Sequence, residues 1–196
     1  MTGPPRTLAE RKRQLVRDEL STAALQAFAF QGFEETTIDQ ITAAVGVSRR
    51  TFFRYFKTKE DVIIEFLSAV GHLVPTALAA RPAEEPPHGA LRQAFAAILD
   101  PYAEHPEKSL RLAKLILDTP ALRARHLDHQ YEWQTALTAE YARRTGHDPV
   151  TDLRPAVTVG IALAAFDAAI HRWIRSDGRE DLHDLADQAF TLAGLT

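Results

Sequence analysis

The chain of 196 residues is 45% hydrophobic and 25% charged. That balance excludes a disordered chain, a fibre or a small disulfide-stapled scaffold. It has no cysteine, which removes thiolate catalysis, disulfides and Cys-ligated zinc or iron–sulfur centres.

The net charge of −3 conceals an asymmetry, because residues 1–60 carry ten Lys/Arg against seven Asp/Glu whereas residues 61–196 carry thirteen against nineteen. The N-terminal part is therefore the candidate nucleic-acid face. Met1–Arg13 is polar and basic and leads into further charge, so no secretory signal is expected. The longest apolar run, Gly160–Ala169, contains Asp167 and is about half of the ~20 residues a membrane-crossing helix needs. A cytoplasmic protein is expected.

Helical periodicity runs through nearly the whole chain. Leu8–Gln31 places Val16, Leu20, Ala23, Ala24, Ala27 and Phe28 on one stripe, and Gly32 supplies its stop. Thr37 followed by Gln40 has the form of a capping box, which predicts a helix over Ile38–Val45 ending at Gly46. Ser48 can cap Arg49–Phe56, and Thr58 with Asp61 can cap a helix from Lys59 to about Val74, where Pro75 ends or kinks it. Residues 81–89 read as a loop. Beyond it the pattern predicts helices over about 90–104, 107–117, 120–145, 153–175 and 179–193, separated by Pro106, Pro120, Gly146 with Pro149, and Gly178. With no strand-like alternation of useful length, the expected fold is all-α.

Thr36–Lys59 carries the chemistry. Two short capped helices joined at Gly46, the second rich in Arg, Thr and aromatics, follow helix-turn-helix grammar. Ile41, Ala44, Val45, Val47, Phe52 and Phe56 are the expected packing residues. The free face then offers Arg49, Arg50, Thr51, Phe53, Arg54 and Tyr55. Arg49 and Arg50 can reach guanine edges in a major groove, while Thr51, Tyr55 and Lys59, with the capped helix starts at Thr37 and Ser48, can hold phosphates. Two packed helices of an ordinary bundle would give the same apolar spacing, but they give no reason to gather these Arg and aromatic residues between two caps.

The segment Ala23–Phe66 resembles the DNA-binding domain of the tetracycline-repressor (TetR) family. The resemblance rests on the Ala-rich first helix ending in Gly32 and Phe33, Thr36 and Thr37 before Ile38, Ile41–Val47, Thr51–Phe56 and Lys59. Arg54 departs from the apolar or aromatic residue that many members carry there. The resemblance implies an all-α homodimeric repressor with a helix-turn-helix domain over 1–57 and an effector-binding and dimerisation domain over 58–196. Its DNA partner would be a palindromic double-stranded operator, and its last two long helices would form the dimer seam. Val157, Ile161, Leu163, Phe166, Leu185, Ala189 and Leu192 are the seam candidates. Regulators with an RRTFFRYF recognition helix also hint at an acyl-type ligand.

Three further groups of residues could carry chemistry. His126, Asp128, His129 and Glu132 fall within two turns; His129 and Glu132, three apart, could share a metal, but a solvated helix face is the favoured reading, and no metal or other cofactor is expected. Asp167 and His171, four apart in an apolar helix, could satisfy each other, meet a neighbouring chain or contact a ligand. Phe95, Leu99, Tyr102, Leu112, Ile116, Tyr131, Trp133, Leu137, Tyr141, Phe166 and Trp173 recur on the middle helices, as either a core or a pocket lining requires. From these, Phe95, Leu99, Tyr102, Leu112, Ile116, Trp133, Leu137, Phe166, Asp167 and His171 are the candidate effector contacts. A small, largely apolar molecule is the expected effector. No nucleophile elbow, Walker loop, dinucleotide turn or zinc helix is present, so the chain is not expected to be an enzyme. A helical interaction module would need no basic recognition face.

Overall fold

A computed structural model describes residues 7–195, in which there are ten α-helices and no strand. Met1–Arg6, the start of the basic N-terminal segment, lie outside the described residues. The chain divides into two compact units at Phe66/Leu67. The first holds α1 (Leu8–Gln31), α2 (Ile38–Val45), α3 (Arg49–Tyr55) and the first half of α4 (Lys59–Gly71). This division lies within α4, beyond the boundary expected after Lys57. Two polar ties hold the first half of α4 to the first unit: Arg17 pairs with Glu65, and Lys59 donates to carbonyls in the turn after α1.

Local chemistry explains the helix starts. In α1 the Thr7 hydroxyl accepts from the Glu10 backbone N–H while the Glu10 carboxylate accepts from Thr7 N–H. The expected Thr37/Gln40 box is formed at α2, and the Ser48 hydroxyl accepts from Thr51 N–H at α3. Such caps satisfy N–H groups that have no intrahelical partner, at about 0.5–2 kcal/mol each. Gly46 ends α2 in the left-handed region at φ 72°, ψ 31°, where a side chain would be strained. This sets the sharp turn between α2 and α3. Leu20, Phe28, Ile41, Phe52 and Phe56 are buried here. Val45 and Val47 are half-buried, while Ala44, expected in the core, is exposed. Phe56 closes α3 as an extended C-cap residue and not as its last helical one.

The second unit contains α5 (Leu73–Ala80), α6 (Pro87–Glu104), α7 (Pro106–Asp118), α8 (Pro120–Thr145), α9 (Arg154–Arg175) and α10 (Leu182–Leu192). α9 packs on α8 and α10, α5 on α6 and α8, and α7 on α8. Their common core includes Leu78, Leu91, Phe95, Leu137, Val159, Ala162, Trp173 and Phe190. Phe95 meets both Phe166 and Phe190 at ring separations of 5.2 Å. Each fully buried residue of this size contributes roughly 1.5–3 kcal/mol.

Three boundaries depart from expectation, two of them through proline. The helix expected over 59–74 breaks at His72, and Pro75 lies in the first turn of α5 and does not end a helix. Pro75 has no N–H to give the Gly71 carbonyl, but the first turn of a helix needs no such donor. Likewise Pro87 occupies the first position of α6, so that helix begins before residue 90 and the loop is shorter than expected. The last helix starts at Leu182, where the Asp181 side chain caps it.

Lys59–Ala80 and Arg154–Arg175, each 22 residues with mean hydropathies of 1.7 and 1.4, are long and apolar enough to cross a membrane although charged residues interrupt their apolar runs. In this fold Val62, Ile63, Leu67, Val74 and Leu78 of the first stretch and Val159, Ala162, Ala169 and Trp173 of the second are buried, whereas Leu73, Val157 and Ile161 are exposed.

Candidate nucleic-acid interface and effector site

The outer face of α3 is open. Ser48, Arg50, Thr51, Phe53 and Arg54 line a shallow concavity of ≈480 Å³, and Phe53 is 47% exposed although it is a large apolar side chain. Phe52 beneath it is fully buried and meets Phe53 edge to face at 5.7 Å. The alternation of Phe52 inward and Phe53 outward is what a helix needs to anchor itself and still present a flat group to a partner.

The arginines on this face are arranged differently from one another. Arg49 donates to both oxygens of Asp39 at 3.1 and 2.9 Å, and its guanidinium lies 6.0 Å from the Phe53 ring. Arg54 donates to the Tyr55 hydroxyl at 3.0 Å and stacks over that ring at 4.9 Å. Arg50 is exposed and has no ion pair or hydrogen bond among the described residues. Thr37, Ser48 and Thr51 are joined to the helix starts: Thr37 Oγ1 also donates to Gln40 Oε1 at 3.0 Å, and the Ser48 and Thr51 hydroxyls lie 3.0 Å apart.

Lys59 is placed otherwise than expected. Its ammonium donates to the carbonyls of Phe33 at 2.6 Å and Thr36 at 2.8 Å and sits 4.7 Å from the Phe33 ring. It clamps the turn leading into α2, with its ammonium bonded to the carbonyls of that turn. The sequence did not show this role, because partners 26 and 23 residues away leave no local spacing to read.

The effector candidates separate into several environments. Phe95, Leu99 and Leu137 are buried in the main core of the second unit, and Leu112 and Ile116 are buried on α7. Phe166 lies against Phe95, and Tyr102 meets Trp173 edge to face at 5.6 Å. Burial pushes the Tyr102 phenol up to about 12. Tyr131, grouped with the lining aromatics, is 75% exposed and points away from any interior. A charged concavity of ≈530 Å³ in this unit is lined by Pro106, Glu107, Leu110, Arg111, Lys114, Asp177 and Gly178, none of them an expected effector contact.

Polar groups concentrate where α8 faces α9. His171 Nδ1 lies 2.9 Å from the Asp167 carbonyl and 3.3 Å from its carboxylate, both side chains being partly exposed. His126, expected on a solvated helix face, is half-buried and meets Trp133 edge to face at 5.5 Å. Burial lowers its pKa below the ordinary imidazole value; Asp167 opposes that shift, and His129 and His171 reinforce it. His129 pairs with Glu132 at 3.0 Å, and among the described residues no group of three potential ligands is arranged to hold a metal.

Comparison with known proteins settles the class. Residues 20–66 match the family described as bacterial regulatory proteins, tetR family, and residues 85–194 match the MftR C-terminal domain of the same group. The chain belongs to the TetR family of transcriptional regulators. The first match ends at residue 66, where the first unit also ends. Among TetR-family relatives, the HTH-type transcriptional regulator TcmR of Streptomyces glaucescens is 37% identical over 177 residues, covering 87% of this chain and 78% of that protein. The HTH-type transcriptional repressor AcnR of Corynebacterium glutamicum is 25% identical over 174 residues, covering 87% and 88%. In fold the chain is similar to the transcriptional regulator FadR of Bacillus subtilis solved with stearoyl-CoA, at a TM-score of 0.66 and 18% identity over 90% of this chain and 96% of that one.

Proposed function

We propose that this TetR-family regulator is a homodimeric repressor that binds a palindromic operator through α3 and is released by a small, largely apolar effector held in its second unit. The observation that carries the DNA-binding half is the exposed face of α3, where Arg50 is unpaired and Phe53 is displayed over a buried Phe52. Arg49 and Arg50 are the base-reading side chains in this reading; Ser48, Thr51, Phe53, Arg54 and Tyr55 contact the groove wall and backbone, and Thr37 positions the start of α2. Lys59 acts from behind by fixing the turn before α2.

Dimerisation is supported by apolar side chains left uncovered on the last two helices. Val157 is 54% exposed, Ile161 41% and Leu192 90%, while Leu163, Phe166, Leu185 and Ala189 pack against the core beneath them. Two-fold pairing through this seam gives two recognition helices and hence a palindromic site. The effector must bind the DNA-free arrangement better than the DNA-bound one, since a ligand shifts an equilibrium only by its differential affinity. A coupling of about 1–3 kcal/mol changes operator affinity roughly 5–150-fold. α4 runs from one unit into the other and is the chain's own route for that coupling. The aromatic supply of the second unit and the stearoyl-CoA bound by the Bacillus subtilis neighbour both favour a lipophilic effector, and a DNA-binding regulator of this kind would act in the cytoplasm.

The test is selection and sequencing of DNA fragments retained by the purified protein, with and without candidate effectors. A two-fold-symmetric sequence lost on adding effector supports the reading. Retention of unrelated fragments alike overturns it.

A further inference from the structure

Among the described residues, four buried side-chain nitrogens of the second unit have no hydrogen-bond partner, and two of them, the indole Nε1 of Trp133 and the imidazole Nδ1 of His126, belong to rings in contact. They stand seven residues apart on α8, on the same face, with their rings 5.5 Å apart. The Gln130 amide nitrogen lies 3.2 Å from His126 Nε2. An amide nitrogen only donates, so with the amide oriented this way Nε2 accepts and the imidazole proton resides on Nδ1. Both orphan atoms are then N–H groups. The indole lies directly over Gly71 at the end of α4: a Cβ there would stand 1.5 Å from Nε1. Only glycine admits the ring at that place. Burial lowers the imidazole pKa below its ordinary value, which favours the neutral ring.

Resting on the effector reading above, we propose that Trp133 and His126 form the polar recognition point of the effector site, and that the effector is a neutral molecule whose carbonyl oxygen accepts from both N–H groups. A buried donor without a partner is unfavourable, and a ligand that supplies the missing acceptor relieves that cost, so such a site discriminates strongly against an analogue without the oxygen. The nearby carboxylate of Asp167, on α9, already interacts with His126 and disfavours a carboxylate or phosphate in the same place. A neutral ketone, ester, amide or thioester satisfies both conditions. An anionic head group satisfies only the first.

The experiment uses the full-length protein and three rigid probes of the same ring system: fluorenone, which carries a carbonyl, fluorene, which has a methylene in its place, and a fluorene carboxylate. Binding is followed by calorimetry and by tryptophan fluorescence. Fluorenone should bind at least about tenfold more tightly than fluorene, the affinity ratio expected when a buried donor gains or loses its acceptor, and the carboxylate should bind more weakly than fluorenone. Trp133→Phe, which keeps a ring and removes the N–H, should bring fluorenone to the affinity of fluorene; His126→Leu provides the second variant should the first not fold, folding being checked by thermal melting. Equal affinities, no binding of either neutral probe, or a preference for the carboxylate would overturn the proposal. Release of operator by lipophilic compounds without a carbonyl would sink it too but leave the sensor reading standing. Failure of the wild-type protein to select any DNA sequence would strike the sensor reading and not the fluorenone comparison.

Discussion

Asp39 in the first turn of α2 holds Arg49 in the first turn of α3, through bonds of 3.1 and 2.9 Å from one guanidinium nitrogen to the two carboxylate oxygens. Both side chains are more than half exposed, and an exposed pair of this kind is worth only about 0–1 kcal/mol. The pair therefore parks Arg49 beside the recognition face and releases it at little cost when a guanine edge or phosphate competes. Arg49→Ala should weaken specific operator binding by about 1–3 kcal/mol and relax base preference at one position. Asp39→Ala should act in the opposite direction, raising affinity for all duplexes, because it removes a negative charge next to the groove. Titrations of operator and scrambled duplex decide the matter, and equal losses for both sequences in Arg49→Ala would reject Arg49 as a base reader.

Lys59 separates two physical roles. A lysine on phosphate lowers the salt slope of binding by about one when removed. A lysine bonded to the Phe33 and Thr36 carbonyls instead lowers stability when removed, by about 1.5–3 kcal/mol for charge-assisted bonds. Lys59→Met should reduce the melting temperature and leave the dependence of operator affinity on salt unchanged at temperatures where the protein is folded. A shallower slope with unaltered melting would restore phosphate contact.

What the sequence made legible is what short-range chemistry dictates. The Thr37/Gln40 and Thr58/Asp61 pairs are three residues apart and fold as read, and Gly46 turns the chain where a left-handed residue is needed. The placement of Phe52 inward and Phe53 outward follows from helical spacing. Tertiary partners were not legible. Nothing local in Gly71 announces that the Trp133 indole rests on it, and α8 is so evenly polar that His126 reads as a surface residue until packing encloses it. Pro75 misled for a physical reason: proline breaks a helix interior but is accommodated in a first turn, and the sequence does not say which side of a break it lies on.

The apolar residues exposed on α9 and α10 predict a separable effect on assembly. Ile161→Glu places a charge on a position 41% exposed in the single chain, where it is tolerated unless a second chain covers it. If the seam forms there, light scattering at micromolar concentration should show a monomer with an unaltered helical spectrum. Operator affinity should then fall steeply, because two half-sites no longer act together. A variant that remains dimeric would move the seam elsewhere.

His126 predicts how stability depends on pH. Its folded pKa lies below the ordinary value of 6.5, chiefly through burial. In the window between 6.5 and that lower value the unfolded chain binds a proton that the folded chain refuses, so stability falls as the pH is lowered through it. Above 6.5 both states are neutral and His126 contributes no slope; below the folded value both are protonated and the slope ends. The steepest loss one such group can cause is about 1.4 kcal/mol per pH unit. Melting temperatures of the wild type and His126→Leu, measured in matched buffers from neutral to mildly acid pH, should diverge as the pH drops below 6.5, the wild type losing more. Parallel melting curves across this range would mean that His126 titrates as freely in the folded chain as in the unfolded one, and that α8 does not enclose it.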